Sequence, residues 1–310
     1  MKYIPILFII LIMACEQVVE IEVPEQEPQI TLSCFYKSGD IQVKAYLNNS
    51  IGILVNEDIG PIRGATVKLY ENEVLMTELV EGADTLFRDE YIGEDSLGSP
   101  IYELVVKSIR PCYQTQLTLS SVPLQAGNTY KITAEAEGYP AISATQKFPL
   151  APTVSDLIYK PMSRVDFEGY LSDAFEFQIH DAPEEDNYYA MAVYECSTNY
   201  YSSYCNDNWT SSFTPGTVRG LDGVVLLNDN LFDGQSYGVE LLSEAVDIAH
   251  RDLKVVVSAI SRDGYFFSKS VEAYWIAEDN PFVEPVIIPT NVENGQGIFS
   301  IENRSEIIVE

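Results

Sequence analysis

Positive charge is scarce in this 310-residue chain: 18 Lys and Arg stand against 47 Asp and Glu, for a net charge of −29. The deficit is spread along the chain, with 9 cations against 20 acids over residues 16–150 and 8 against 27 over 151–310. Such a surface repels phosphate backbones and argues against nucleic acid as a partner. Histidine is equally rare, with only His180 and His250. Neither lies near a G-x-S-x-G nucleophile elbow, which the chain lacks, so both are read as structural or exposed. A C-x-x-C pair is missing, which removes zinc-ribbon and thioredoxin-like chemistry, and so is a glycine loop of the phosphate-binding kind. No catalytic residue, metal site or cofactor is assigned. Paired carboxylates leave no spacing in a sequence, so a carboxylate-based hydrolase is the one enzymatic alternative.

Long apolar runs are also missing. The longest, Ile4 to Ala14, covers eleven residues interrupted by Pro5. A membrane-spanning helix needs about 20, so this run suits a secretory leader, with Lys2 as its basic start. It ends in Leu11-Ile12-Met13-Ala14-Cys15, which resembles the lipobox of bacterial lipoproteins. Residues 1–14 are therefore expected to be a lipoprotein signal peptide and Cys15 the acylated new N-terminus. Two or more acyl chains make such anchoring durable where one is marginal. Residues 15–28 follow as an acidic tether of at most about 45 Å, at ~3.3 Å per residue. Glu16, Glu20 and Glu22 resemble the acidic export signal of Bacteroidota surface lipoproteins, which implies a chain facing the exterior.

Amphipathic helices of ordinary length are absent until Gly264–Glu278, where Tyr265, Val271, Tyr274 and Trp275 are expected to share one face of a single short helix. Elsewhere short alternating runs such as Gln29–Tyr36 and Ile41–Leu47 are punctuated by Gly, Asn and Asp. This pattern marks a mainly β chain of sandwich type. Leu124, Gly127 and Tyr130 open one strand, and Leu231, Gly234 and Tyr237 open another at the same spacing. Both resemble the tyrosine corner of immunoglobulin and fibronectin sandwiches. Two immunoglobulin/fibronectin-like β-sandwich domains in tandem are expected, at 29–150 and 151–310, with a Pro-containing linker at Lys147–Val154.

Four cysteines remain after Cys15, an even number that suits disulfides in an exported chain. Cys196 and Cys205 bracket a Tyr-, Ser- and Asn-rich loop and are expected to be bridged. Cys34 lies on the alternating face of Ile30 and Leu32, and is left either paired with Cys112 or as a core thiol. Asn228–Gly234 has the look of a calcium loop but lacks the distal Glu, and is read as a turn. Asp84-Thr85-Leu86 and Asp95-Ser96-Leu97 resemble the short O-glycosylation motif of exported Bacteroidota proteins.

The most specific stretch is Asn280–Ser300. Its Asn280, Pro281, Phe282, Glu284, Pro285, Asn291, Gly295, Gly297, Ile298 and Phe299 resemble the C-terminal signature of a Bacteroidota outer-membrane lipoprotein family known as a domain of unknown function (family 4249). The lipobox and the glycine–tyrosine turns fit the same family, and the Cys196–Cys205 loop departs from it. The resemblance implies an outer-membrane lipoprotein without enzymatic activity, held by its N-terminal lipid as accessory or ligand-binding partner of a TonB-dependent transporter. A surface adhesion or structural module is the alternative. The signature itself is read as structural, with Gly295 and Gly297 permitting unusual backbone geometry and Ile298 and Phe299 as buried anchors.

Overall fold

The computed structural model describes residues 27–50, 59–94, 100–116, 124–167, 169–183, 185–199, 202–208, 210–244, 252–278 and 284–309. The expected signal peptide, Cys15 and the tether up to residue 26 lie outside the described residues. So do Asp95–Leu97, His250 and Asn280–Phe282 of the signature.

The chain is mainly β. Its first part contributes β1 (Ile30–Lys37), β2 (Lys44–Asn49), β3 (Thr66–Glu71), β4 (Val74–Glu94), β5 (Pro100–Gln114), β6 (Thr129–Glu135) and β7 (Ile142–Lys147). Alternation does the sorting. In β1, Ile30, Leu32, Cys34 and Tyr36 are all buried, while the intervening residues face outward. β4 links two layers: Val74–Leu79 pairs with β3, and Val80–Glu94 pairs with β5. Ile30, Leu32, Leu69, Tyr130, Ile132 and Phe148 meet in the core between these layers. Each large side chain fully buried there contributes roughly 1.5–3 kcal/mol.

The second part contributes β8 (Thr153–Val165), β9 (Leu171–His180), β10 (Tyr188–Asn199), β11 (Ser202–Asn208), β12 (Thr210–Ser211), β13 (Val218–Arg219), β14 (Val225–Asn228), β15 (Ser236–Glu244) and β16 (Asp252–Ile260). The helix α1 (Arg262–Glu278) and the final strand β17 (Gln296–Ile308) complete it. A four-stranded sheet, β12-β15-β9-β8, faces the sheet carrying β14, β10 and β16. Phe175, Phe177, Met191, Leu227, Leu241 and Val255 fill the space between them.

The division expected at residue 150 does not hold to the end of the chain. β17 runs parallel to β1 from Thr31↔Gln296 to Lys37↔Glu302, then antiparallel to β16 from Ile260↔Glu302 to Lys254↔Ile308. Its Phe299 and Ile301, with Val292 just before it, belong to the first core, and Val309 packs on the second. The sheet is thereby continuous across both parts. Two side chains of β17 also hold the linker, Asn303 Nδ2 donating to Pro149 O (3.0 Å) and Ser305 Oγ to Pro152 O (2.6 Å).

The family-like segment builds this seam. Asn291 Nδ2 donates to Phe299 O (2.8 Å), and Phe299 N donates to Asn291 Oδ1 (3.0 Å), so one side chain satisfies both backbone groups of a buried residue. Gly297 has φ +104°, and a Cβ there would collide with the Leu32 carbonyl. Glycine is required for so close an approach of β17 to β1.

Ser261 caps α1, its Oγ accepting from Gly264 N at 3.1 Å. The expected shared face is only half present. Tyr265 and Val271 are buried, whereas Tyr274 and Trp275 in the later turns are exposed. Tyr265 packs with Ile260 and Leu226 in the first turn, and Glu272 further along is buried and paired with Arg219 of β13 at 2.8 Å.

Candidate functional site

α1 covers one end of the outer face of the continuous sheet and leaves a groove beside it. The groove encloses about 250 Å³ and takes its lining from both parts of the chain. β10 gives Ala190, Ala192 and Tyr194; β16 gives Val256, Ser258 and Ile260; β17 gives Ser300, Glu302 and Arg304; β1 gives Phe35 and Lys37. Small side chains on β10 create the space, because their neighbours Tyr189, Met191 and Val193 point into the sandwich core. The wall opposite β17 is the turn at Leu221–Gly223, fixed to α1 by Leu221 N donating to Ser268 Oγ at 2.8 Å. Asp222 in that turn lines the groove with φ +58°.

The rim on the β1–β17 side is charged. Glu302 sits between Lys37 Nζ (3.3 Å) and Arg304 Nη2 (3.6 Å). Phe35 continues the apolar floor toward Phe267 of α1, with ring centroids 6.0 Å apart. The groove thus has an apolar floor, serine hydroxyls and a rim of mixed sign. Neither His nor Cys is among its described lining residues.

The expected site residues are scattered over other parts of the fold. Cys196 and Cys205 are directly opposed on β10 and β11 and joined by a disulfide. Cys34 and Cys112 are both free and buried. Strand β2 lies between theirs, so two strand spacings of about 4.8 Å separate them. They also face opposite ways: Cys34 is level with Ala45 and Tyr113 on the core side, and Cys112 follows the alternate face with Gln114. Burial pushes the Cys34 thiol up to about 12.

Tyr130 forms a corner. It is buried, it accepts from Gln125 N five residues upstream (2.8 Å), and its hydroxyl donates to Glu71. Tyr237 does not, despite the same spacing. Its ring stacks on Phe232 at 4.4 Å and its hydroxyl donates to Pro215 O, 22 residues away. The N–H five residues upstream of Tyr237, that of Phe232, is already given to Asp229 O at 2.8 Å.

His180 bridges two strands. Its Nε2 lies 2.8 Å from Ser155 Oγ on β8 and its Nδ1 2.7 Å from Ser236 Oγ on β15. Asp156 bonds Ser155 rather than the ring, so the order of groups in a catalytic triad is not made.

The Asn228–Gly234 turn brings Asp229 and Asp233 to Asp181, with one carboxylate oxygen of each within 4.8 Å of the others. Burial pushes the Asp229 carboxyl above its ordinary range, and Asp181 and Asp186 add to the effect, against the Asn187 N–H that bonds it at 2.7 Å. Asp181 accepts from the Tyr189 hydroxyl and from Gly234 N. These are the groups that sequence spacing left apart, because Asp181 comes from the end of a different strand.

The model of a domain of unknown function (DUF4249) matches residues 16–308. The chain belongs to that family. Within its seam segment, Asn291, Gly297 and Phe299 of the family-like stretch fasten backbone to backbone. No curated protein sequence matches the chain. Among solved structures, the collagen adhesin (CNA) from S. aureus is similar over 90% of this chain and 94% of its own, at 8% identity and a TM-score of 0.20. A superposition at that level carries no argument about function. In this DUF4249 chain the groove escaped sequence reading because its lining is drawn from segments far apart. One signal was present: Val255, Val256 and Val257 are apolar at consecutive positions, as in a strand covered on both faces.

Proposed function

We propose that this chain is a lipid-anchored, non-catalytic binding module of the outer membrane that serves a TonB-dependent transporter. The groove between the two parts carries the reading. It is concave, apolar at its base and charged at its rim, which suits the capture of a small molecule or a partner segment. Of its two carboxylates, Asp222 stands on the turn wall and Glu302 on the rim between Lys37 and Arg304, where ion pairing suits binding. The anchor at Cys15 supplies proximity, since a tethered module meets a membrane partner at high effective concentration. The test is affinity capture of the acylated chain from solubilised outer membranes. Recovery of a transporter, lost when Leu221→Arg and Ala192→Arg fill the groove, is the expected result. Capture that never returns a transporter removes the partner role.

An adhesion role is the second reading. The rings of Phe167 and Phe213 meet at a tilt of 53° with centroids 4.2 Å apart, and both remain exposed beside a cavity lined by Thr210, Ser211, Ser212 and Thr217. Aromatic faces next to hydroxyls suit glycan or matrix contacts. Adhesion of cells that is unchanged by Phe167→Ala with Phe213→Ala would remove it.

A further inference from the structure

β4 and β5 continue well past the body of the first core. From Thr85↔Ile109 to Glu94↔Pro100 they pair with each other, and among the described residues no other strand pairs with either. About ten residues per strand at ~3.3 Å each make a ribbon roughly 33 Å long. Phe87, Tyr91, Ile92, Ile101, Val106 and Ile109 all stand exposed along it, from 41% for Ile101 to 64% for Ile109. No described side chain of this stretch is buried, so among the described residues no second layer covers either face. An isolated two-stranded ribbon is marginal in water. This one therefore needs an environment that covers its apolar side chains.

The register gives the direction of the ribbon. β2 pairs Lys44↔Gln114 and Ala45↔Tyr113 with β5, and Ile30↔Asn49 with β1. Carried forward, that register sets Ile109 and Thr85 level with Asn49, and so with Ile30. The ribbon begins where β1 begins and projects toward the side from which the N-terminal segment enters. Cys15 to Ile30 is about 15 residues, which reach at most ~50 Å. With the ribbon tip at a bilayer surface, Ile30 stands about 33 Å above it, within reach of a lipid at Cys15.

We infer that the β4–β5 ribbon dips into the bilayer surface to which Cys15 is anchored, an inference that rests on the lipid-anchor reading. Arg88, Lys107 and Arg110 stand against Asp84, Asp89, Glu90, Glu94 and Glu103, a net of −2, so the apolar side chains and not charge must hold the ribbon at the surface. Depth is limited, because among the described residues no strand covers either ribbon edge, and hydrocarbon cannot satisfy an edge's backbone groups. Immersion stops at the boundary of headgroups and acyl chains, where Tyr91 suits the interface. A protein partner seated on one face would leave the other in water, whereas a lipid surface covers both.

The test uses the full acylated chain in phosphatidylethanolamine–phosphatidylglycerol vesicles. Ile92→Cys carries an environment-sensitive fluorophore on the ribbon, and Val74→Cys carries it at the opposite end of β4. Cys34 and Cys112 are buried and do not compete for label. Spin-labelled lipid is expected to quench the fluorophore at 92 at least threefold more than at 74. Equal quenching in a chain shown by mass spectrometry to be acylated overturns the ribbon inference and leaves the anchor reading standing. A chain without acyl groups overturns both. Shielding at 92 that rises with protein concentration in the absence of lipid assigns the ribbon to a second copy and overturns the lipid surface, as does a glycan on Ser96. The unsubstituted chain gives an independent reading: tryptic cleavage at Arg88 and Lys107 is expected to slow at least fivefold in vesicles relative to detergent, and equal rates refute the inference.

Discussion

A methyl group at position 297 has nowhere to go. Gly297 holds φ +104° and its added Cβ would meet the carbonyl of Leu32 on β1. The backbone term alone costs about 1–3 kcal/mol. The collision adds to it, because β17 must move off β1 near the start of the pairing that runs from Thr31↔Gln296 to Lys37↔Glu302. Loss of two backbone hydrogen bonds there costs about 1–3 kcal/mol more. Gly297→Ala should therefore destabilise by roughly 3–5 kcal/mol, a large share of the 5–15 kcal/mol that holds an ordinary domain. Gly39 is the control, with φ +90° and nothing within 4 Å of its Cβ position. Gly39→Ala should cost only about 1–2 kcal/mol. Urea unfolding followed by far-UV circular dichroism and tyrosine fluorescence measures both. If Gly297→Ala costs no more than Gly39→Ala, β17 does not lie against β1 as described.

Three further outcomes are expected. Tyr130→Phe removes the hydroxyl that accepts from Gln125 N and donates to Glu71, at a cost of about 1–3 kcal/mol, while Tyr237→Phe loses one half-exposed bond and should cost under ~1 kcal/mol in the same urea assay. Asp229 has a raised folded-state pKa, so its favourable contribution is complete below the unfolded carboxyl pKa and lost as pH rises through the folded one. Asp229→Asn keeps an acceptor for Asn187 N–H and should be at least as stable as the parent at pH 7, with the gap closing toward pH 4; a loss above ~1 kcal/mol at pH 7 would contradict this. Cys34, buried with its thiol pushed up to about 12, should resist alkylation at pH 8 in the folded chain and react only on unfolding, and stoichiometric labelling under native conditions would refute its placement.

Local pattern carried the strands well, because a period of two in Ile30–Tyr36 or Ala174–Ile179 is itself the imprint of a core on one face. It also placed α1, expected over Gly264–Glu278 and found over Arg262–Glu278. The outer turns of that helix were misread, since Tyr274 and Trp275 are apolar by type and nothing local says that they stand exposed. Spacing was equally blind at Tyr237, where the residue deciding the hydroxyl's partner is Phe232 five positions earlier. Cys34 and Cys112 both alternate correctly within their own strands, but their opposite facing depends on β2 between them. The parallel pairing of β1 with β17 joins the two ends of the described chain, and no local period encodes it. Gly295 and Gly297 of the C-terminal segment did mark it as unusual backbone, and the role of Asn291 in holding Phe299 came only with the structure. The groove inherits the same distance problem, because its walls meet only once β17 has joined the two parts.

The most direct test of the binding-module account is a photo-crosslinking residue in place of Leu221, on the wall of the groove, in the native outer membrane. The account predicts an adduct with a TonB-dependent transporter, absent when the same residue replaces Val74. A folded, acylated chain that crosslinks to nothing from 221, or no more from 221 than from 74, would contradict it.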